Sequence, residues 1–208
     1  GAKTSGAVTL KNKIRMSGSQ SAITTALVGG SAVSASVADT EAKVTTAVSV
    51  AQGKAIAEVA KIKGIFTGGV TDSLSNIASG GNTDADFDVI TTDDGTVTVS
   101  IDDDTFANTA ATITAADLIA VGAATTGQVS IAKAVKITGA ASDLTNTLVS
   151  GTKTVSAGAA LVDITDGKFT DTSATIAATA LSGIGGKTSG QVSIAKAVKI
   201  TGAASDVT

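Results

Sequence analysis

Gly127–Thr145 reads GQVSIAKAVKITGAASDLT, and Gly190–Thr208 reads GQVSIAKAVKITGAASDVT: the segment returns 63 residues on with only Leu144 exchanged, for Val207. A duplication this close marks the chain as an array of repeats. Working outward, Lys3–Val28 (KTSGAVTLKNKIRMSGSQSAITTALV) aligns as a degenerate third copy with Ala124–Val149 (ATTGQVSIAKAVKITGAASDLTNTLV). The period begins at Gly95, which matches Gly158, and continues through Ile101 and Ile164, Phe106 and Phe169, Ile113 and Ile176, Leu118 and Leu181, and Val121 and Ile184. A weaker echo, AASDL at Ala140–Leu144 against AATAL at Ala177–Leu181, divides each period into two strand–turn–helix coils of roughly 26 to 37 residues.

Val8, Leu10, Ile14 and Met16 fall at even spacing and predict strand over Lys3–Met16. Ser19–Val28 reads as a short helix, and Ser31–Val48 as strand and turn. Ser49 and Gln52 have capping-box spacing and predict a helix over Val50–Lys63. Ile65–Val70 then reads as strand, Thr71-Asp72 as a cap and Ser73–Ala78 as a small helix. Val97, Val99 and Ile101 form a strand after the Asp94-Gly95 turn, and helices start at Thr114–Asp117 and near Ala177. Helical signals near residues 20, 50, 72, 115, 141, 178 and 204 suggest about seven coils. One strand and one short helix cannot bury an apolar face alone, so the coils must stack. Val129, Ile131, Val135 and Ile137 are expected inside with Leu144 and Leu148.

The expected fold is therefore an α/β repeat solenoid, with parallel β-solenoid coils carrying short helices. The alternative is an all-β helix or β-sandwich array in which the AADL and ASDL segments are merely turns. The expected divisions are degenerate repeats over 1–82, a unit with an acidic insertion over 83–145 and a second unit over 146–208, all in one continuous elongated domain. Gly1 opens inside a repeat and Thr208 closes inside one, so the chain reads as a piece of something longer with an open edge at each end.

Of the 208 residues 43 % are hydrophobic but only 2 % aromatic, so the core must be thin. With no Cys and no His there is no thiol nucleophile, no imidazole base and none of the usual zinc or haem ligands. A net charge of −3 and scattered Lys residues argue against nucleic acid as a partner. No apolar run approaches the ~18 residues of a membrane span, and no signal segment opens the chain.

Thr114–Leu148 (TAADLIAVGAATTGQVSIAKAVKITGAASDLTNTL), with SVAQ at Ser49–Gln52 and VTDSLSNI at Val70–Ile77, resembles the Ala/Thr-rich tandem repeats of giant bacterial, cyanobacterial-type cell-surface and adhesin-like proteins, surface layers among them. The resemblance implies an extracellular, structural or adhesive role and supplies no catalytic residues.

Asp84, Asp86, Asp88, Asp93, Asp94, Asp102, Asp103 and Asp104 are the candidate metal ligands. Calcium takes six to eight oxygens and favours acidic loops, although Val89 and Gly95 stand where an EF-hand has its Gly and its last Glu. The other reading is a solvated acidic turn. Asp166 and Asp171 are weaker candidates. GGKTSG at Gly185–Gly190 has part of a phosphate-loop pattern but lacks its first glycine at Leu181, and reads as a turn. Lys133, Lys136, Lys196 and Lys199 repeat with the unit, either as a row for acidic polysaccharide or as a solvated face. Nothing places a nucleophile beside a base, so no enzyme is expected. The expected function is a non-catalytic repeat protein of the bacterial exterior that assembles with copies of itself into a layer, sheath or filament. The rival is an adhesin stalk binding glycan or ice, stabilised by calcium.

Overall fold

The computed structural model describes residues 7–28, 33–38, 40–104, 112–151, 153–167 and 175–206. Phe106, Phe169 and Asp171 lie outside them. The chain is mixed α/β, with several parallel sheets and short helices, and among the described residues no sheet closes into a barrel. It divides into two compact units that interleave along the sequence: Gly1–Asp72, Thr83–Ser100 and Ala124–Gln128 form one, and Ser73–Asn82, Ile101–Ala123 and Val129–Thr208 the other.

In the first unit, strand Val8–Leu10 pairs in parallel with Val33–Ala35, and Arg15–Gly18 pairs with Thr40–Val44, which pairs in turn with Ile62–Phe66. The helices Gln20–Leu27, Val50–Ala57 and Ala85–Asp93 accompany them. Local chemistry sets the helix starts. The Ser19 side chain accepts from the Ala22 amide, and the Ser49/Gln52 capping box is complete. The alternating β-branched and aromatic residues feed a core of Val44, Val48, Ile56, Phe66, Val70, Phe87, Ile90, Val97 and Val99, each at most 1 % exposed. Rings supply its bulk through Phe66 and Phe87 alone, in keeping with the thin core that composition demands.

In the second unit, Thr112–Thr114, Lys136–Gly139, Leu161–Ile164 and Val192–Ile194 make one parallel sheet in sequence order. Val129–Ile131 pairs with Val155–Ser156, and Thr175–Ala177 with Lys199–Thr201. Helices Leu74–Ile77, Ala115–Ala124, Ala141–Thr145 and Ala178–Gly185 lie among them, and a π-helical turn over Asn146–Ser150 extends the third. The Ala-rich segments are thus helices and not turns. The Thr114 hydroxyl accepts from the Asp117 amide at 3.1 Å and so starts the Ala115–Ala124 helix. Val129, Val135, Ile137 and Leu144 are 0 % exposed, Leu148 1 % and Ile131 7 %, as their spacing requires.

Three elements differ from the sequence expectation. The helix begun at Val50 ends at Ala57 and does not run to Lys63. Lys61 takes a left-handed φ of 65°, and Ile62–Phe66 then becomes a strand, because the ladder to Thr40–Val44 offers its β-branched and aromatic residues a packed partner. That leaves Val70 in a separate strand, Val70–Asp72. The alternation over Val8–Met16 is split between two strands, with Ile14 40 % exposed. The acidic segment after Gly80 contains the helix Ala85–Asp93, which buries Phe87 and Ile90.

Candidate functional site

Asp84, Asp86, Asp88, Asp93 and Asp94 belong to the first unit and Asp102, Asp103 and Asp104 to the second. Among the described residues no group of three or more such side chains stands close enough to hold a metal ion. The first half of the acidic segment is helical, over Ala85–Asp93. Asp84 is the N-cap and accepts from the Asp86 amide at 2.8 Å, while Asp86 and Asp88 occupy the first turn, where the helix dipole favours carboxylates. Asp86 also lies 3.8 Å from the Lys54 ammonium. Lys54 bonds chiefly to Glu58, which with Asp86 holds its pKa above the ordinary value.

Asp93 and Asp94, at the other end of that helix, close a sheet edge. Asp93 Oδ2 accepts from the Gly64 amide at 2.7 Å and Asp94 Oδ2 from the Phe66 amide at 2.8 Å. These alternate amides of strand Ile62–Phe66 would otherwise need a further strand or water. Asp94 Oδ1 accepts in addition from the Thr96 hydroxyl at 2.7 Å. Burial raises the Asp93 pKa despite the Gly64 amide, which pulls the other way.

Three carboxylates follow a rule that residue spacing alone does not disclose: each reaches back to the first helical amide of a segment 22 to 29 residues earlier. Asp72 takes the Val50 amide at 2.9 Å, Asp103 the Leu74 amide at 2.8 Å and Asp166 the Ala141 amide at 2.7 Å. Thr46 does the same for Gln20 at 2.9 Å. Each acceptor follows an apolar-x pair at or near a strand end: Val44-Thr-Thr46, Val70-Thr-Asp72, Ile101-Asp-Asp103 and Ile164-Thr-Asp166. Asp103 and Asp166 occupy equivalent positions of the repeat. Asp117, only 9 % exposed, accepts from the Gly81 amide at 2.6 Å and the Thr114 hydroxyl at 2.7 Å. The sequence marks Asp72 as a cap and Asp117 as part of a helix start, but not that Asp72 caps the earlier helix at Val50 or that Asp117 reaches the Gly81 amide.

Replacing Asp166 by Ala removes the only side-chain acceptor among the described residues at the start of helix Ala141–Thr145, since Ala140 offers none. The expected loss is about 1 to 2 kcal/mol by urea denaturation. Asp104→Ala, at a side chain 92 % exposed, should stay within about 0.5 kcal/mol. Equal losses would remove the capping role.

Hydroxyls reach back in the same direction. Ser36 donates to the Leu10 carbonyl, Thr45 to Gly18, Thr67 to Val44, Thr138 to Ile113 and Thr147 to Ala115, across 23 to 32 residues. Thr125 donates to the Val97 carbonyl, and its repeat equivalent Thr188 to the Ala160 carbonyl. This decides the GGKTSG segment. The Gly186 and Lys187 amides bond to Ser182 and Ile184, the Ser189 amide to the Gly158 carbonyl and the Gly190 amide to the Thr188 hydroxyl. Amides that a phosphate cradle would present are committed to the chain's own carbonyls and hydroxyl.

Of the lysine row, Lys133 pairs with Asp102 at 3.1 Å and lies 3.8 Å from Asp104, so an ammonium already stands among those acids and its pKa is raised by them. Lys136 pairs with Asp163 at 2.9 Å. Lys196 and Lys199 are exposed.

The Lys136 ammonium holds the Asp163 carboxyl below its ordinary 3.8. A depressed folded-state value stabilises the fold above the ordinary pKa, and that contribution is lost as pH falls through the lower value. Asp163→Asn should therefore make the decline of the urea midpoint below about pH 4 shallower. An unchanged decline would assign the acid response elsewhere.

Among the described residues no helix is long and apolar enough to cross a membrane. No protein family, curated protein or solved structure matches this chain.

Proposed function

We propose that the chain is a non-catalytic structural repeat protein: a solenoid of stacked strand–helix coils from a bacterial cell exterior that assembles with copies of itself into a surface layer, sheath or filament. The observation that carries this reading is the common direction of the polar contacts. Carboxylates and hydroxyls go to backbone groups 22 to 32 residues earlier, beside parallel ladders whose partners are separated by similar distances. Such groups serve each coil by satisfying the one before it, as a repeat architecture requires. The exterior location rests on the resemblance to Ala/Thr-rich surface repeats. Acidic polysaccharide fits exposed Lys196 and Lys199 as a second ligand class. Open, non-closing contacts between copies generate fibres. Electron microscopy of the purified chain should show filaments or sheets; separate rods at every concentration would favour the adhesin-stalk reading and sink self-assembly.

This reading does not require calcium: amides partner Asp84, Asp93, Asp94 and Asp103, and Lys133 partners Asp102. Chelator treatment should leave the melting temperature within about 1 °C, since a ligand bound only by the folded state raises apparent stability by mass action. A drop on chelation that added calcium reverses would restore the metal.

A further inference from the structure

The first unit gathers onto one sheet face cations that the sequence scatters. In the ladder of Arg15–Gly18, Thr40–Val44 and Ile62–Phe66, Arg15 stands opposite Glu41 and Glu41 opposite Lys63. Two residues on, Ser17 stands opposite Lys43 and Lys43 opposite Ile65. Side chains alternate along a strand, and Ala42, Val44, Ile62 and Phe66 take the buried side. Arg15, Ser17, Glu41, Lys43, Lys63 and Ile65 therefore share the outward face, where Arg15 and Lys63 are exposed and Glu41 and Lys43 half-buried. The Arg15 guanidinium above all, with exposed Lys13 and Lys63 adding to it, holds the Glu41 carboxyl below its ordinary value.

Among the described residues four cations thus surround one carboxylate, and that carboxylate is already taken by Arg15 at 2.5 Å. Asp39, the other acid of this stretch, lies outside the described residues. Lys54, Lys133 and Lys136 each have a carboxylate oxygen within 3.1 Å, whereas Lys43 and Lys63 form no ion pair among the described residues. A coil stacked beside Arg15–Gly18 would widen this face and not cover it, because ladders grow at their edges.

We propose that this face binds a linear polysaccharide bearing carboxylates, laid across the strands so that successive acid groups meet Arg15, Lys43 and Lys63. Neighbouring strands stand about 4.8 Å apart, so the charges form an extended plane and not a cradle. Amides that would encircle a compact anion are spent in the ladders. A nucleic acid matches the face less well, since none of the six outward residues is aromatic and able to stack a base. The chain carries −3 overall, so a polyanion is drawn to this face and repelled by the rest. The site is distinct from Lys196 and Lys199, and it rests on the exterior reading only for where such a polysaccharide would be met.

The test titrates the full chain into a fluorescent polygalacturonate oligomer in calcium-free buffer and follows anisotropy. Saturable binding that weakens as salt is raised is expected. Lys43→Gln with Lys63→Gln should weaken it about tenfold, while Lys43→Arg with Lys63→Arg should retain it. Glu41→Gln removes the one carboxylate and should tighten binding several-fold, a gain that a purely structural role for the face would not give. Lys196→Gln with Lys199→Gln should leave binding unchanged. The altered side chains point outward, and circular dichroism with the urea midpoint checks that each variant folds. No saturable binding, a Glu41→Gln variant no tighter than the parent, or equal loss from the Lys196 and Lys199 pair would each overturn the proposal. So would an oligothymidylate of equal charge that binds as tightly. Filaments that form without polygalacturonate binding would sink this site and leave the structural reading standing, and binding by separate rods would do the reverse.

Discussion

Gly127→Ala should cost the fold about 3 kcal/mol, near the upper end of what an inserted methyl costs in a packed site. The reason is a wall of backbone. A Cβ at Gly127 would press far inside van der Waals contact on the Thr96 and Val97 carbonyl oxygens, and neither can swing away as a side-chain tip can. The turn is drawn onto those carbonyls by Thr125, whose hydroxyl donates to the Val97 carbonyl at 2.6 Å and accepts from the Gly127 amide at 2.9 Å. Gly190, the repeat equivalent, stands in the same way against the Ala159 and Ala160 carbonyls, so Gly190→Ala should cost a similar amount. Gly167 supplies the contrast: a Cβ there meets nothing within 4 Å. Gly167→Ala should be neutral or stabilise by about 0.4 to 1 kcal/mol through the unfolded chain. Urea denaturation of the three variants measures these differences, and a Gly127 variant as stable as the Gly167 one would show that the close approach does not govern the turn.

A second large effect compares one side chain in two settings. Ile137 and Ile200 share the flanking sequence AKAVKITGAASD, yet one is 0 % and the other 43 % exposed. Ile137→Ala removes fully buried methyls and leaves a cavity, at a cost of about 3 to 4 kcal/mol. Ile200→Ala removes a side chain still largely in water and should cost under about 1 kcal/mol. Equal losses would mean that the terminal strand is covered in solution, a result the ultracentrifuge could assign to self-association.

Legibility tracked range along the chain. The Ser49/Gln52 box, the Ser19 cap, the Thr114–Asp117 start and the inward set Val129, Ile131, Val135 and Ile137 depend on neighbours within a few residues, and all were readable. Helix Ala85–Asp93 was missed because aspartates mask a weak signal: an Asp cap at 84 followed by Phe87 and Ile90 three residues apart. The overlong helix from Val50 was a conflict between local helical spacing and a ladder to Thr40–Val44, which local sequence does not display. The acidic stretch was the least legible in its contacts. Consecutive aspartates look like one site, but Asp93 and Asp94 serve amides 29 and 28 residues away, and Asp103 serves one 29 residues away.

By itself the sequence determined the repeat, its period, the kind of element in most segments and the face each turns inward, because those follow from side-chain spacing over one or two turns of backbone. Tertiary structure alone decided which amide each carboxylate receives and which copy of GQVSIAKAVKITGAASD is covered. Identical residues carry identical local preferences; Ile137 and Ile200 differ only in the strand that lies across them, and that strand is brought there by the fold.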